Sequence, residues 1–214
     1  MKRIYKVLAC AAVAFMAASC GGNQVNVEAP AVDKGKVLTE ILNARKSIRQ
    51  FDTTKVVSDE VIMDILWTAN GVNREDGKRT APSAVNAQDI QLYVCKSDGV
   101  FQYKPADETL EQVSATDIRP LYAGRNAGAL KNPVILLVSD KDKFPPFGEE
   151  PRNRFAAMDA GYVSQNIYLY CAANGMATVA CAGGINPKAI QEALGWPETM
   201  VALLYHPIGY PVEQ

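Results

Sequence analysis

The sequence predicts a three-layer α+β domain, on three observations. Helical and extended patterns follow one another in mixed order along the chain. Asp98-Gly99 joins two extended runs as the tight turn of an antiparallel hairpin. The run Pro133-Val134-Ile135-Leu136-Leu137-Val138 is apolar throughout, as a buried strand is.

Each element has its own signal. Val37, Leu38, Ile41 and Leu42 recur on one helical face and stop where Arg45 begins. Ser58 suits an N-cap before Val61, Ile62, Ile65, Leu66 and Ala69, with Gly71 as the stop. Ile90, Leu92 and Val94 alternate as a half-buried strand, and Val100-Phe101-Gln102-Tyr103 is its hairpin partner. Residues 152–174 predict a long helix with an apolar stripe including Phe155, Tyr162, Ile167 and Leu169, closed by Gly175. Short strands are expected near 176–181 and 200–206, with a helix over 187–194 between them.

The start of the chain reads as an address. Lys2, Arg3 and Lys6 precede an apolar run over 7–16, and small residues lead to Cys20, the pattern of a secretory signal. Ala17-Ala18-Ser19-Cys20 resembles a bacterial lipobox, with alanine at 17 where leucine is commoner. The expected division is a signal peptide over 1–19, a flexible tether over 20–34 after lipidated Cys20, and one domain over 35–214. Several acyl chains, each contributing about 0.8 kcal/mol per buried methylene, would anchor the protein to a bacterial membrane. Gly21-Gly22 follow the cysteine without an aspartate, which favours the outer membrane within the cell envelope. Losing Lys2, Arg3 and Lys6 leaves 19 basic against 23 acidic residues, so neither a nucleic-acid patch nor a polybasic membrane motif is expected. One histidine and scattered cysteines predict no zinc cluster. His206 suits a hydrogen-bonded sheet residue, and Tyr162, Tyr168 and Tyr170 suit core and interface packing.

Three separated segments carry the chemistry. Arg45-Lys46-Ser47-Ile48-Arg49 offers two guanidinium groups and a hydroxyl at alternate positions, suited to a phosphate or an electron-rich ring edge. Residues 81–88, Ala-Pro-Ser-Ala-Val-Asn-Ala-Gln, supply neutral hydrogen-bonding groups. Ala182-Gly183-Gly184-Ile185 lets backbone amides approach a flat ligand. In this order and at these separations they resemble the flavin-binding segments of the nitroreductase family of FMN-dependent oxidoreductases, over about residues 37–211. Residues 70–74 with 79–84 are most similar to the branch that includes the SagB-type dehydrogenases.

The resemblance implies the rest. The fold would be a nitroreductase-like sandwich, a mixed, largely antiparallel sheet flanked by helices. The protein would be a homodimer with FMN at the interface, each site built from both subunits. Arg45 and Ser47 would meet the phosphate and ribityl end, and Arg49 the N1–O2 ring edge. Pro82, Ser83, Asn86 and Gln88 would reach across to the neighbour's flavin. Gly184, with Gly183 allowing the approach, would offer an amide to the N5–O4 side. Hydride transfer through N5 would be ping-pong, drawing on NAD(P)H or on dehydrogenation of the substrate itself, and it needs no catalytic side chain. Asp89 replaces the family's aromatic or proline, which bears on the pocket wall and on Gln88. Past Gly209-Tyr210-Pro211 many members carry a basic tail; here Val212, Glu213 and Gln214 follow, which predicts looser FMN retention with Arg79 or Arg125 as substitute phosphate contacts. The competing expectation is a non-catalytic lipoprotein that uses the fold as a binding module or flavin carrier.

Overall fold

The computed structural model describes residues 38–121 and 131–212, so the signal peptide, Cys20, the tether, Val37 and Arg125 lie outside the described residues. Helix α1 spans Leu38–Ala44 and ends at the Arg45 segment. Helix α2 spans Asp59–Asn70; the Ser58 hydroxyl accepts the Val61 N–H at 3.4 Å, and the Gly71 N–H closes it on the Trp67 carbonyl at 2.7 Å. Strands β1, Ile90–Lys96, and β2, Gly99–Lys104, form the expected hairpin. Then come β3, Thr109–Ser114, and β4, Val134–Asp140. Helix α3, Glu149–Ala173, leads to β5, Ala177–Thr178. Helix α4, Pro187–Leu194, and β6, Met200–Gly209, complete the order.

The strands form one six-stranded sheet, β3-β2-β1-β4-β6-β5, and every described pairing is antiparallel. One face buries Leu92, Val94, Ile135 and Leu137 under Ile62, Leu66, Val163 and Ile167 of α2 and α3. The other buries Tyr93, Leu136, Val138 and Tyr205 with Phe51, Ile118 and Ile190 of α4. These are the three layers. Because both faces are covered, β1 buries Leu92 through Cys95 without a break, and the expected half-buried alternation does not hold.

One strand was not expected, and two expectations for helix α3 are corrected. β3 escapes the sequence pattern because it is a polar edge strand with three exposed positions. Helix α3 begins earlier than expected and has no single apolar stripe. It buries Ala156, Asp159, Ala160, Val163, Ser164, Ile167, Tyr170 and Cys171, while Tyr162 is 45% exposed. A helix lying between a sheet and a second helix must bury more than one side.

Gly99 is fixed by its backbone. Its φ is +138°, and an added Cβ would overlap the Ser114 carbonyl oxygen across the β2–β3 pair. Gly99→Ala is expected to cost about 3 kcal/mol or more, combining a disfavoured backbone with a clash against main chain. A urea unfolding midpoint equal to wild type would refute this.

Candidate functional site

Helix α3 organises the three polar segments. Asp159 and Tyr168 are nine residues apart, which on a regular helix is about 13 Å of rise and about half a turn of azimuth. They therefore point to opposite flanks. On the Asp159 flank, both carboxylate oxygens accept the Ala84 N–H, at 2.9 and 3.1 Å. Nearby on the same side, the Asn166 amide donates to the Ala69 carbonyl at 3.2 Å, and Tyr170 donates to Asp64 at 3.2 Å, tying α3 to α2.

On the Tyr168 flank, the phenol oxygen lies 2.8 Å from Ser47 Oγ and accepts the Ala180 N–H at 2.8 Å. The Arg45 guanidinium sits over the Tyr168 ring, 5.2 Å from its centre. The Ile48 N–H donates to the Thr178 carbonyl at 3.0 Å, which fixes the Arg45 segment along β5. Gly183 and Gly184 lie three and four residues past Ala180, before α4. Both are exposed, and α4 starts with Asn186, whose side chain accepts the Ala189 N–H. Gly184 has φ +87°, a conformation open to glycine. A Cβ on Gly183 would meet nothing within 4 Å. The structure thus brings Arg45, Ser47 and Ala180 together around Tyr168, and the glycine turn follows Ala180 in the chain.

Beneath this flank His206 is fully buried. Its Nε2 lies 2.8 Å from Ser164 Oγ, and its Nδ1 lies 3.0 Å from Thr178 Oγ1. Burial pushes its pKa down to about 3, so the ring is neutral, and it stands edge-on to Tyr168 at 5.3 Å. The sheet role expected for His206 holds.

The loop over 82–88 is held under strain on the opposite flank. Val85, Asn86 and Gln88 have φ of 49°, 55° and 50°, and for β-branched Val85 this is a marked departure from ordinary backbone. Ser83 Oγ accepts the Gln88 N–H at 2.9 Å. Arg79 donates to Gln88 Oε1 at 3.1 Å and to the Asn70 carbonyl at 3.2 Å; burial lowers its pKa. Arg79 therefore braces the loop within its own chain and does not join Arg45. Asp89, at the loop's end, is fully buried and accepts from Ser139 Oγ at 2.6 Å. Burial raises its pKa to about 7, and the neighbouring Asp159 carboxyl pushes the same way. Pro82, Asn86 and Val85 face outward, Val85 being 62% exposed. A small pocket opens here among Asn70, Arg79, Ser83, Gln88 and Asp159.

The donor set suits an anionic ligand with hydrogen-bonding groups. Among the described residues no carboxylate pairs with Arg45 or Arg49, so their charge is available. Ser47 and Arg49 are exposed, as are Gly183 and Gly184 of the glycine turn. The sequence patterns did not single out Tyr168, Asp159 or Asn70 for a role here. Tyr168 carried no signal because a helical tyrosine looks the same whether it packs or positions.

The thiols play no part in this region. Cys95, Cys171 and Cys181 are buried, and burial pushes Cys171 up to about 12, far from thiolate reactivity. No cluster of metal-ligating side chains occurs among the described residues.

Comparison with known proteins bears on the family and the fold. The model of the nitroreductase family matches residues 42–210. A Methanocaldococcus jannaschii protein that carries the name nitroreductase is 26% identical over 205 residues, covering 90% of this chain and all of that one. A crystal structure from Ralstonia eutropha, also named a nitroreductase, superposes with a TM-score of 0.80 at 28% identity, covering 89% of this chain and 90% of that one. One from Staphylococcus epidermidis, named an NAD(P)H:FMN oxidoreductase, has a TM-score of 0.62 at 18% identity, covering 82% and 87% of the two chains, and shares the fold.

Proposed function

The chain belongs to the nitroreductase family, and from that premise we propose that it is an FMN-dependent oxidoreductase working as a symmetric homodimer. The observation that carries the reading is the Arg45–Ser47 flank, which has no carboxylate partner among the described residues and is tied through Tyr168 to Ala180, just before the glycine turn, on a chain whose second polar loop faces the other way. When bound, FMN supplies two-electron chemistry, taking a hydride from a donor and passing it to an acceptor. Arg45 and Ser47 hold the phosphate and ribityl end. Arg49 places a fixed positive charge for the ring edge, and a cation there favours the reduced form. The Gly183-Gly184 turn is exposed, and a Cβ on Gly183 would meet nothing within 4 Å, which leaves room for the ring to approach.

The placement of the loop supports a second copy. Asp159 and Tyr168 face opposite flanks of α3, so one chain cannot close Pro82, Ser83, Asn86 and Gln88 over its own Arg45 and Ser47. Between the flanks, α3 presents exposed Met158 and Tyr162, and α1 presents exposed Leu38 and Leu42. A two-fold axis across this apolar face would set each loop beside the partner's glycine turn. The strain at Val85 fits a loop shaped for that contact, since strained backbone persists where function requires it.

The finer proposals rest on sequence. Residues 70–74 and 79–84 support the SagB-type branch, the basic, apolar and small residues before Cys20 support a lipid-anchored envelope protein, and the division at 1–19, 20–34 and 35–214 goes with them. Donor and acceptor take turns at one open face; NAD(P)H or the substrate itself serves as donor.

Protein lacking residues 1–19 is expected to purify yellow, to bleach with dithionite and to recolour with an acceptor. Arg45→Leu removes a charge-assisted phosphate contact and is expected to weaken FMN about 10- to 100-fold by fluorescence titration. A colourless monomer that FMN cannot reconstitute sinks the proposal.

A further inference from the structure

We infer that Tyr168 is a positioning residue for the anionic end of the cofactor, orienting Ser47 through its hydroxyl and Arg45 through its ring. The inference rests on the FMN reading above and adds a residue to it. The phenol oxygen accepts the Ala180 N–H at 2.8 Å, and Ser47 Oγ lies 2.8 Å away on the same oxygen. A phenol has one hydrogen to give. Ala180 can only donate, so the phenol hydrogen is available to Ser47 Oγ, and the direction we assign runs from Ala180 N–H to Tyr168 O–H to Ser47 Oγ. The serine hydrogen is then left pointing outward for an acceptor. Such a chain polarises each donor in turn and favours a negative charge at its end.

The ring does the second task. Arg45 lies over its face at 5.2 Å, an attraction between cation and ring that restrains the guanidinium without neutralising it. A carboxylate partner would hold Arg45 as firmly and cancel the charge that a phosphate needs. The platform is itself fixed, because neutral His206 packs edge-on against it at 5.3 Å and is locked by Ser164 and Thr178. One helical side chain thereby links the Arg45 segment, the strand leading to the glycine turn, and the buried core.

The test compares FMN with riboflavin, which lacks the phosphate, by titration of apoprotein. Tyr168→Phe keeps the ring and loses the hydroxyl; FMN affinity is expected to fall about 10-fold while riboflavin affinity stays within about 2-fold. Tyr168→Leu also removes the platform and is expected to lose a further several-fold for FMN. In the Ser47→Ala background, Tyr168→Phe is expected to add less than about 2-fold, because both act through one hydrogen-bond chain. Wild-type FMN affinity in Tyr168→Phe, equal losses for both flavins, or additive losses with Ser47→Ala would each overturn the inference and leave the cofactor reading intact. Failure of the wild-type protein to bind either flavin would overturn the cofactor reading, and the inference with it.

Discussion

At pH 8, Asp89→Asn is expected to be more stable than the wild-type chain by about 2–4 kcal/mol, read from chemical denaturation. Asp89 is fully buried, its Oδ1 has no hydrogen-bond partner, and burial with the Asp159 carboxyl raises its pKa to about 7. Above that pH the folded chain holds a charge among apolar groups and beside a second carboxylate. Asparagine keeps an acceptor for Ser139 and offers an N–H toward Asp159, with no charge to bury. The sign follows from proton counting. Between about pH 4 and 7 the folded chain keeps a proton that the unfolded chain has released, so stability falls as pH rises through this window. His206 works in the opposite sense. Its folded pKa of about 3 lies below the ordinary histidine value, so between about pH 3 and 6.5 stability rises with pH. These two groups nearly cancel between pH 4 and 6.5, and Asp89→Asn should expose the histidine slope of roughly 1.4 kcal/mol per pH unit. If the variant matches wild type at pH 8 and shows the same pH profile, the buried-acid assignment is wrong.

His206→Leu is expected to destabilise the fold by about 2–4 kcal/mol and to weaken FMN binding as well. The substitution leaves the Ser164 and Thr178 hydroxyls buried without their ring nitrogen partners, each an orphan costing about 1–3 kcal/mol. It also removes the edge-on support of Tyr168, which carries Ser47 and Arg45. His206→Gln can satisfy one hydroxyl and should recover part of the stability and less of the flavin affinity, because it restores a polar partner without the ring. Thermal melts with FMN titration below the melting range separate the two effects. A stable His206→Leu protein with unchanged FMN affinity would contradict the role given to this histidine.

Much of the architecture was legible because its signals are local. Ser58 with Gly71 bounds α2, Asn186-Pro187 opens α4, and Asp98-Gly99 turns the β1–β2 hairpin, each through hydrogen bonds or backbone angles a few residues apart. The apolar run at 134–138 needed only its composition. Strand β3 and the sides of α3 were not legible, since burial there depends on which elements arrive from elsewhere in the chain. The same division holds at the site. Arginine, serine and glycine spacing, read with the family resemblance, nominated Arg45, Ser47, Arg49, Gly183 and Gly184, and the resemblance nominated the loop at 82–88.

What the sequence by itself determined is the inventory: the family, the kinds of groups that could hold a phosphorylated flavin, and the local turns that display them. Tertiary structure decided the arrangement. It placed Tyr168 between Ser47 and Ala180, and buried Asp89 near Asp159. It also set the two polar segments on opposite flanks of α3. The physical reason is range. Turns and caps are satisfied by neighbours along the chain, whereas a hydroxyl's partner, a carboxyl's burial and a helix's facing are fixed by atoms that only folding brings near.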